Sequence, residues 1–172
     1  MLPEGIGVEI DGHTLIMKGP KGELKRKFAS PKIKITIQEN KVVLGAKKAT
    51  KREKTMIGTF KAHIRNMIKG LTVGHIYKLK ICSGHFPMKV SVNNKEFVVE
   101  NFLGEKAPRK LKLRDDVNVK IEGQEVIVES IDKEIAGQTA ADIELLTKIK
   151  NRDKRIFQDG IYIINKDGKE LV

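Results

Sequence analysis

The stretch "VEIDGHTLIM", Val8 to Met17, decides the fold, because the chain writes its pattern twice. Val8-Glu9-Ile10-Asp11-Gly12 leads into Leu15-Ile16-Met17. Further on, Val90-Ser91-Val92-Asn93-Asn94 leads into Phe97-Val98-Val99, at an offset of 90 − 8 = 82 residues. Each copy reads as two strands of alternating polarity joined by a tight turn, Asp11-Gly12 in one and Asn93-Asn94 in the other. The offset carries on to Gly22-Glu23 and Gly104-Glu105.

A second hairpin follows in each copy. "KIKITIQENKVVL" (Lys32 to Leu44) turns at Glu39-Asn40, and "VNVKIEGQEVIV" (Val117 to Val128) turns at Glu122-Gly123. A helix comes next. Met56, Ile57, Phe60, Ile64, Met67 and Ile68 share one face at helical spacing, as do Ile135, Ala136, Thr139, Ala140, Ile143 and Leu146. Gly58 and Gly137 sit at matching places in the first turn or two of each helix. A helical Gly costs about 1 kcal/mol relative to Ala, so its recurrence implies close backbone packing against a sheet. The pattern predicts an α+β fold: a tandem duplication of a small antiparallel β-sheet packed against one α-helix. Gly70 ends the first helix and Lys78 begins the next strand, which predicts units at 1–77 and 78–172. Leu103 to Leu113 reads as a basic loop, and Ile161 to Ile164 as a last strand or tail.

Composition narrows the function. The 172 residues carry a formal charge of +12, no Trp and eight aromatic side chains (six Phe, two Tyr), which disfavours a deep apolar enzyme pocket and favours a polyanionic partner. Residues 1–80 hold 18 basic and 6 acidic residues, a net of 18 − 6 = +12, whereas residues 81–172 hold 16 of each. The neutral second half still has a basic run, Lys148, Lys150, Arg152, Lys154 and Arg155, against Asp153 alone. Cys82 is the only cysteine, which excludes an intrachain disulfide or a CxxC metal site. The N-terminus has no signal-peptide pattern and no apolar run nears the roughly 20 residues of a membrane span, so a cytoplasmic protein without membrane contact is expected.

No catalytic constellation assembles. The four histidines, His13, His63, His75 and His85, stand at no metal-ligand spacing. Asp115-Asp116, entering a strand, point to opposite faces and read as a turn. Ser83 and Cys82 have no placed base. No enzyme, metal, cofactor or small-molecule substrate is expected. "KGPKGEL" (Lys18 to Leu24) lacks Walker spacing and leaves two readings open: a hairpin exit, or a backbone-and-lysine phosphate contact. The basic run complements a helix dipole or docks phosphates. Two cations serve a dipole, and five followed by Phe157, Gln158, Asp159 and Gly160 favour docking. No helix-turn-helix pair and no aromatic stacking signature is visible, which leaves recognition of folded RNA by backbone and shape.

Four segments in order, "KGPKGEL", "NMIKGLTVGH" (Asn66 to His75), "IDKEIAGQTAADIE" (Ile131 to Glu144) and "DKRIFQDGIYI" (Asp153 to Ile163), resemble the large-subunit ribosomal protein six family. The resemblance spans nearly the whole chain, and "FQDGIYI" is similar to the archaeal and eukaryotic branch. It implies two tandem domains of one fold. It also implies binding to large-subunit rRNA near the sarcin–ricin loop and the stalk base, beside neighbouring ribosomal proteins and docking translational GTPases. The matching RNA-binding positions are the His85 loop with Lys89, then Lys133 and Gln138, and the run Lys148, Lys150, Arg152, Lys154, Arg155, Phe157, Gln158, Gly160 and Tyr162. On the first helix, His63, Arg65 and Lys69 are placed to face a polyanion. Bulk charge points to the first unit and the resemblance to the second. Charge sets long-range attraction while local geometry fixes docking, so the second unit is expected to carry the specific contact. The competing reading is a nucleic-acid chaperone or DNA-compacting protein using the same charge without a fixed site. A third is a small enzyme acting on a phosphorylated substrate at "KGPKGEL".

Overall fold

In the computed structural model, which describes all residues except Met1, Glu4, Glu39, Asn40, Lys48 and Val172, the chain divides into two units, Met1–Gly74 and His75–Val172. The expected turn at Glu39-Asn40 lies outside the described residues. In the first unit, β1 (Gly7–Asp11), β2 (Thr14–Gly19) and β3 (Gly22–Lys27) form an antiparallel meander. β4 (Ile33–Gln38) pairs with β5 (Lys41–Ala46), and α1 (Lys51–Thr72) follows. The second unit opens with β6 (His75–Cys82). It then repeats the scheme as a β7 (Lys89–Asn93), β8 (Glu96–Glu100), β9 (Arg109–Lys112) meander, a β10 (Asn118–Glu122), β11 (Glu125–Ser130) hairpin and α2 (Lys133–Leu146). β12 (Gly160–Lys166) and β13 (Lys169–Glu170) complete a five-stranded sheet of order β10-β11-β6-β12-β13.

The α+β class and the repeated sheet-and-helix scheme are as the sequence predicts. Burial repeats at the 82-residue offset: Leu15 and Phe97 are both sealed, and so are Met17 and Val99. The offset then slips. Leu15 pairs with Arg26, and Phe97 pairs with Leu111, an offset of 111 − 26 = 85. A short turn at Phe102–Gly104 takes up the difference. Gly22 therefore starts a strand while Gly104 closes that turn, and the expected match between them fails. The "basic loop" Leu103 to Leu113 contains β9, and "KGPKGEL" contains the start of β3.

Each readable turn falls one residue later than expected. Asp11 pairs with Thr14, Asn93 with Glu96, and Glu122 with Glu125. The left-handed residues stand between the closing pair, as a two-residue hairpin loop demands: Gly12 at φ 57°, Asn94 and Lys95 at 46° and 63°, Gly123 at 60°.

The helices bury most of the expected stripes, with corrections at particular positions. Met56 is exposed, while Leu71, beyond the expected end at Gly70, is sealed. β6 starts at His75 rather than Lys78 because Gly74, at φ 90°, makes the break. Gly137 is half of the expected close approach: a Cβ there would stand 3.2 Å from the Tyr77 hydroxyl, whereas Gly58 faces open space. α1 starts at 51 and α2 at 133, so these two glycines do not occupy matching places.

The start of α1 is pH-sensitive. The Thr50 amide donates to Glu53 Oε2 at 2.8 Å, the Thr50 hydroxyl reaches the same oxygen, and Lys32 Nζ stands 3.2 Å from Oε1. The Thr50 hydroxyl and amide, with Lys32, hold the Glu53 carboxyl at about 2, against an ordinary 4.5. A depressed folded pKa stabilises above the unfolded value and is lost as pH falls through the folded one. Glu53→Gln is therefore expected to lower the first unit's melting temperature at pH 7 and to cost little at pH 2. Thermal melts at the two pH values check this. An equal loss at both would remove the carboxylate from the explanation.

Candidate nucleic-acid interface

α2 begins under an Asp132 cap, whose Oδ1 accepts from the Glu134 amide at 2.8 Å. It ends at Leu146, so the basic run does not lie on it. No Lys or Arg occupies its last turn, which removes the dipole reading of the run. That role falls to Arg109 of β9. Its Nη1 donates to the Leu146 carbonyl at 2.7 Å, Nε and Nη2 grip Glu105 at 2.8 and 2.6 Å, and the guanidinium lies 4.2 Å from the Phe102 ring centroid.

Residues 148–159 form a loop closed at its base. The Ile161 amide donates to the Thr147 hydroxyl at 2.9 Å, and the Ile163 amide to Glu144 Oε1 at 3.3 Å. Ile149 is buried in the core, while Lys148, Lys150, Arg152, Lys154 and Arg155 are exposed. Inside the loop Asp153 is the organiser. Its Oδ1 accepts from the Arg155 amide at 2.9 Å, its Oδ2 from Arg155 Nη2 at 2.7 Å, and its carbonyl from the Phe157 amide at 2.9 Å. Those Arg155 contacts hold the Asp153 carboxyl below its usual range.

A stack joins this loop to the turn before β7. Arg152 lies 4.9 Å over the Phe157 ring, and Phe157 stacks on His85 at 4.8 Å with a 30° interplanar angle. Asp159, 2 % exposed, anchors the column. Its Oδ1 accepts from the Gly84 and His85 amides at 2.5 and 3.0 Å, and its Oδ2 lies 2.6 Å from His85 Nδ1. Burial pushes the Asp159 carboxyl up, but the hydrogen bonds from His85 and Gly84 outweigh it and the net shift is downward. An ionised carboxylate only accepts, so Nδ1 of His85 carries the proton and the ring's orientation is fixed. Sequence reasoning named Arg152, Phe157 and His85 but missed Asp159 and Arg109 as the groups that hold the arrangement. The signal for Asp159 was a carboxylate inside a basic segment with an invitingly polar turn, Ser83-Gly84-His85, far away in sequence.

Gly160 starts β12 opposite Cys82, and Gln158, Lys154 and Tyr162 line a cleft of about 660 Å³ beside His85. The other expected contacts stand apart. Lys89 opens β7, exposed. Lys133 opens α2 with Nζ 3.8 Å from Asp167 Oδ2, and Gln138 turns along α2 to donate to Asp142 at 2.8 Å. His63, Arg65 and Lys69 belong to the first unit. His63 is half-buried, 3.4 Å from Arg26 and 6.4 Å from the Phe28 ring, while Arg65 and Lys69 are exposed. In "KGPKGEL", Gly19 pairs with Gly22 and Lys21 Nζ is bonded to the Val73 carbonyl, so the segment is a hairpin turn. Asp115 and Asp116 form a turn as expected, with Asp115 paired to Lys95. Among the described residues, no three His, Cys, Asp or Glu are grouped to hold a metal ion, and no helix is long and apolar enough to cross a membrane.

The chain is a duplicated sheet-and-helix protein whose second copy carries a cationic loop held by Asp153, Asp159 and the Phe157–His85 stack. The sequence profile of the family described as "Ribosomal protein L6" matches residues 2–74 and 86–160, one match in each unit. "Large ribosomal subunit protein uL6" of Methanococcus vannielii is 48% identical over 170 residues, covering 99% of this chain and 93% of that protein. The proteins of the same name from Methanobrevibacter smithii and Methanosarcina mazei are 50% and 48% identical, each covering 96% of this chain and 93% and 94% of their own lengths. The chain belongs to the ribosomal protein L6 family. It is thus grouped with ribosomal proteins and not with enzymes.

Proposed function

We propose that this protein is a structural constituent of the large ribosomal subunit. It binds large-subunit rRNA near the sarcin–ricin loop and the stalk base, beside neighbouring ribosomal proteins, and braces the region where translational GTPases dock. Its relatives' name supports the subunit. The observation that carries the contact is the closed loop 148–159, whose five cations are presented on a backbone fixed by Asp153, Asp159 and the Phe157–His85 stack. Arg152 and Arg155 are already held, by Phe157 and Asp153, so ordering them against a phosphate costs less, and the loop positions the protein on folded RNA while reading little base identity. The second unit is the main docking unit. The lysines of the first unit meet RNA or acidic neighbours more diffusely.

The test is salt-dependent binding to a large-subunit rRNA fragment containing the sarcin–ricin loop, with duplex DNA of equal length as control. The wild type is expected to prefer the rRNA. Arg152→Ala with Arg155→Ala is expected to bind it about tenfold more weakly, with a log–log salt slope shallower by about 1 to 2. Equal binding to RNA and DNA, untouched by the double substitution, would favour a nucleic-acid chaperone.

A further inference from the structure

Tyr162 has a geometry that phosphate contact does not use. Its ring rests on Gly160, where a Cβ would stand 3.0 Å from Tyr162 Cζ, and its hydroxyl donates to the Asp159 carbonyl at 3.4 Å. Backed by Gly160 on one side, the ring remains 41% exposed. It lines the 660 Å³ cleft and also an adjoining one of about 290 Å³, and Lys154 lines both. Ile156, 64% exposed, and the polar Ser83 and Gln158 line the larger one.

Tyr162 and Ile156 line the same cleft, so one occupant would cover both apolar groups. Lys154 on both clefts and Lys148 on the smaller one set cations beside the Tyr162 ring, which suits an anionic chain better than an apolar protein partner. An unpaired nucleobase fits all of it: a flat face for the ring, edge atoms for Ser83 and Gln158, and a phosphate for Lys154. We infer that the cleft beside Tyr162 takes one unstacked RNA base, with Tyr162 as its stacking platform. The inference rests on the rRNA reading above. It adds a base contact to an interface otherwise made of phosphates.

The probe is the same rRNA fragment, titrated at several salt concentrations. Tyr162→Ala weakens binding about tenfold with the salt slope unchanged, because stacking releases no counterions. Tyr162→Phe keeps the ring and stays within about twofold of wild type. Tyr162→Leu keeps apolar bulk without a π face and loses as much as alanine, and thermal melts of all three variants separate stacking from misfolding. Ultraviolet crosslinking of the wild-type complex joins one nucleotide to the peptide containing Tyr162. The inference is overturned if the alanine variant binds like wild type, if phenylalanine fails as alanine does, or if the crosslink maps outside residues 154–162. Preference for the fragment with a neutral Tyr162→Ala overturns the base contact alone. No preference over DNA overturns both readings.

Discussion

Asp159→Ala is expected to destabilise the second unit by about 3 kcal/mol and to weaken rRNA binding at least as much as removing Arg152 and Arg155 together. The carboxylate is buried and takes the Gly84 amide, the His85 amide and the His85 ring. Deleting it leaves three partly exposed donors without their acceptor, and hydrogen bonds to a charged group contribute about 1.5–3 kcal/mol each before water replaces them. The binding loss follows because His85 no longer seats Phe157, and Phe157 no longer seats Arg152. Asp159→Asn keeps the shape but trades one acceptor oxygen for a donor, so it falls between wild type and alanine. Acid acts in the same direction. The folded carboxyl sits below its ordinary 3.8, so its contribution is present above that value and fades as pH drops beneath it. Amide exchange at Gly84 and His85, with thermal melts, provides the check. Unchanged exchange in Asp159→Ala would sink the account of the column.

The second large effect is in the core. Phe97→Ala is expected to cost about 3–5 kcal/mol, as deletion of a fully sealed aromatic does. Phe97 faces Val92 and Leu111 across the β7-β8-β9 meander and belongs to a cluster with Leu79, Val128 and Ile143. Leu15, its counterpart one repeat earlier, is sealed in the first unit's cluster, and Leu15→Ala is expected to cost about 2–5 kcal/mol there. Hydrogen exchange of β8 amides in one variant and β2 amides in the other reads each loss locally. A loss under 1 kcal/mol at Phe97 would mean the cavity collapses, and the equivalence of the two positions would carry no energetic meaning.

The duplication was legible because hairpins and helix stripes have periods of 2 and 3.6 that survive in any sequence burying one face. Leu15 with Met17 and Phe97 with Val99 alternate, and they are buried together. β3 and β9 were missed for the same reason. "GELKRK" and "RKLK" are edge strands with few sealed residues, so their alternation is carried by cations and reads as loop. β12 was legible as a run, Ile161 to Ile164, but not as a strand beside β6, since pairing across 80 residues leaves no local mark. At the site, the cations were visible and their scaffold was not. Charge announces itself in composition, whereas the Asp159–His85 and Arg109–Leu146 contacts join residues 74 and 37 positions apart.

The pairing of β6 with β12 also sets an order of events during synthesis. A chain emerges from its N-terminus, and domains fold as units in that order. Everything the first unit's sheets and helix need lies within Met1–Gly74. β6 comes out next, but one of its two neighbours in the sheet is β12, made about 80 residues later. Until then that flank of β6 offers open amides and carbonyls, and the Thr147 hydroxyl has no Ile161 amide to receive. The cationic loop between them is therefore a slack tether in the nascent chain and a rigid projection only in the finished one. The loop thus reaches its closed form only after β12 is made, whereas the first unit is complete before β6 emerges.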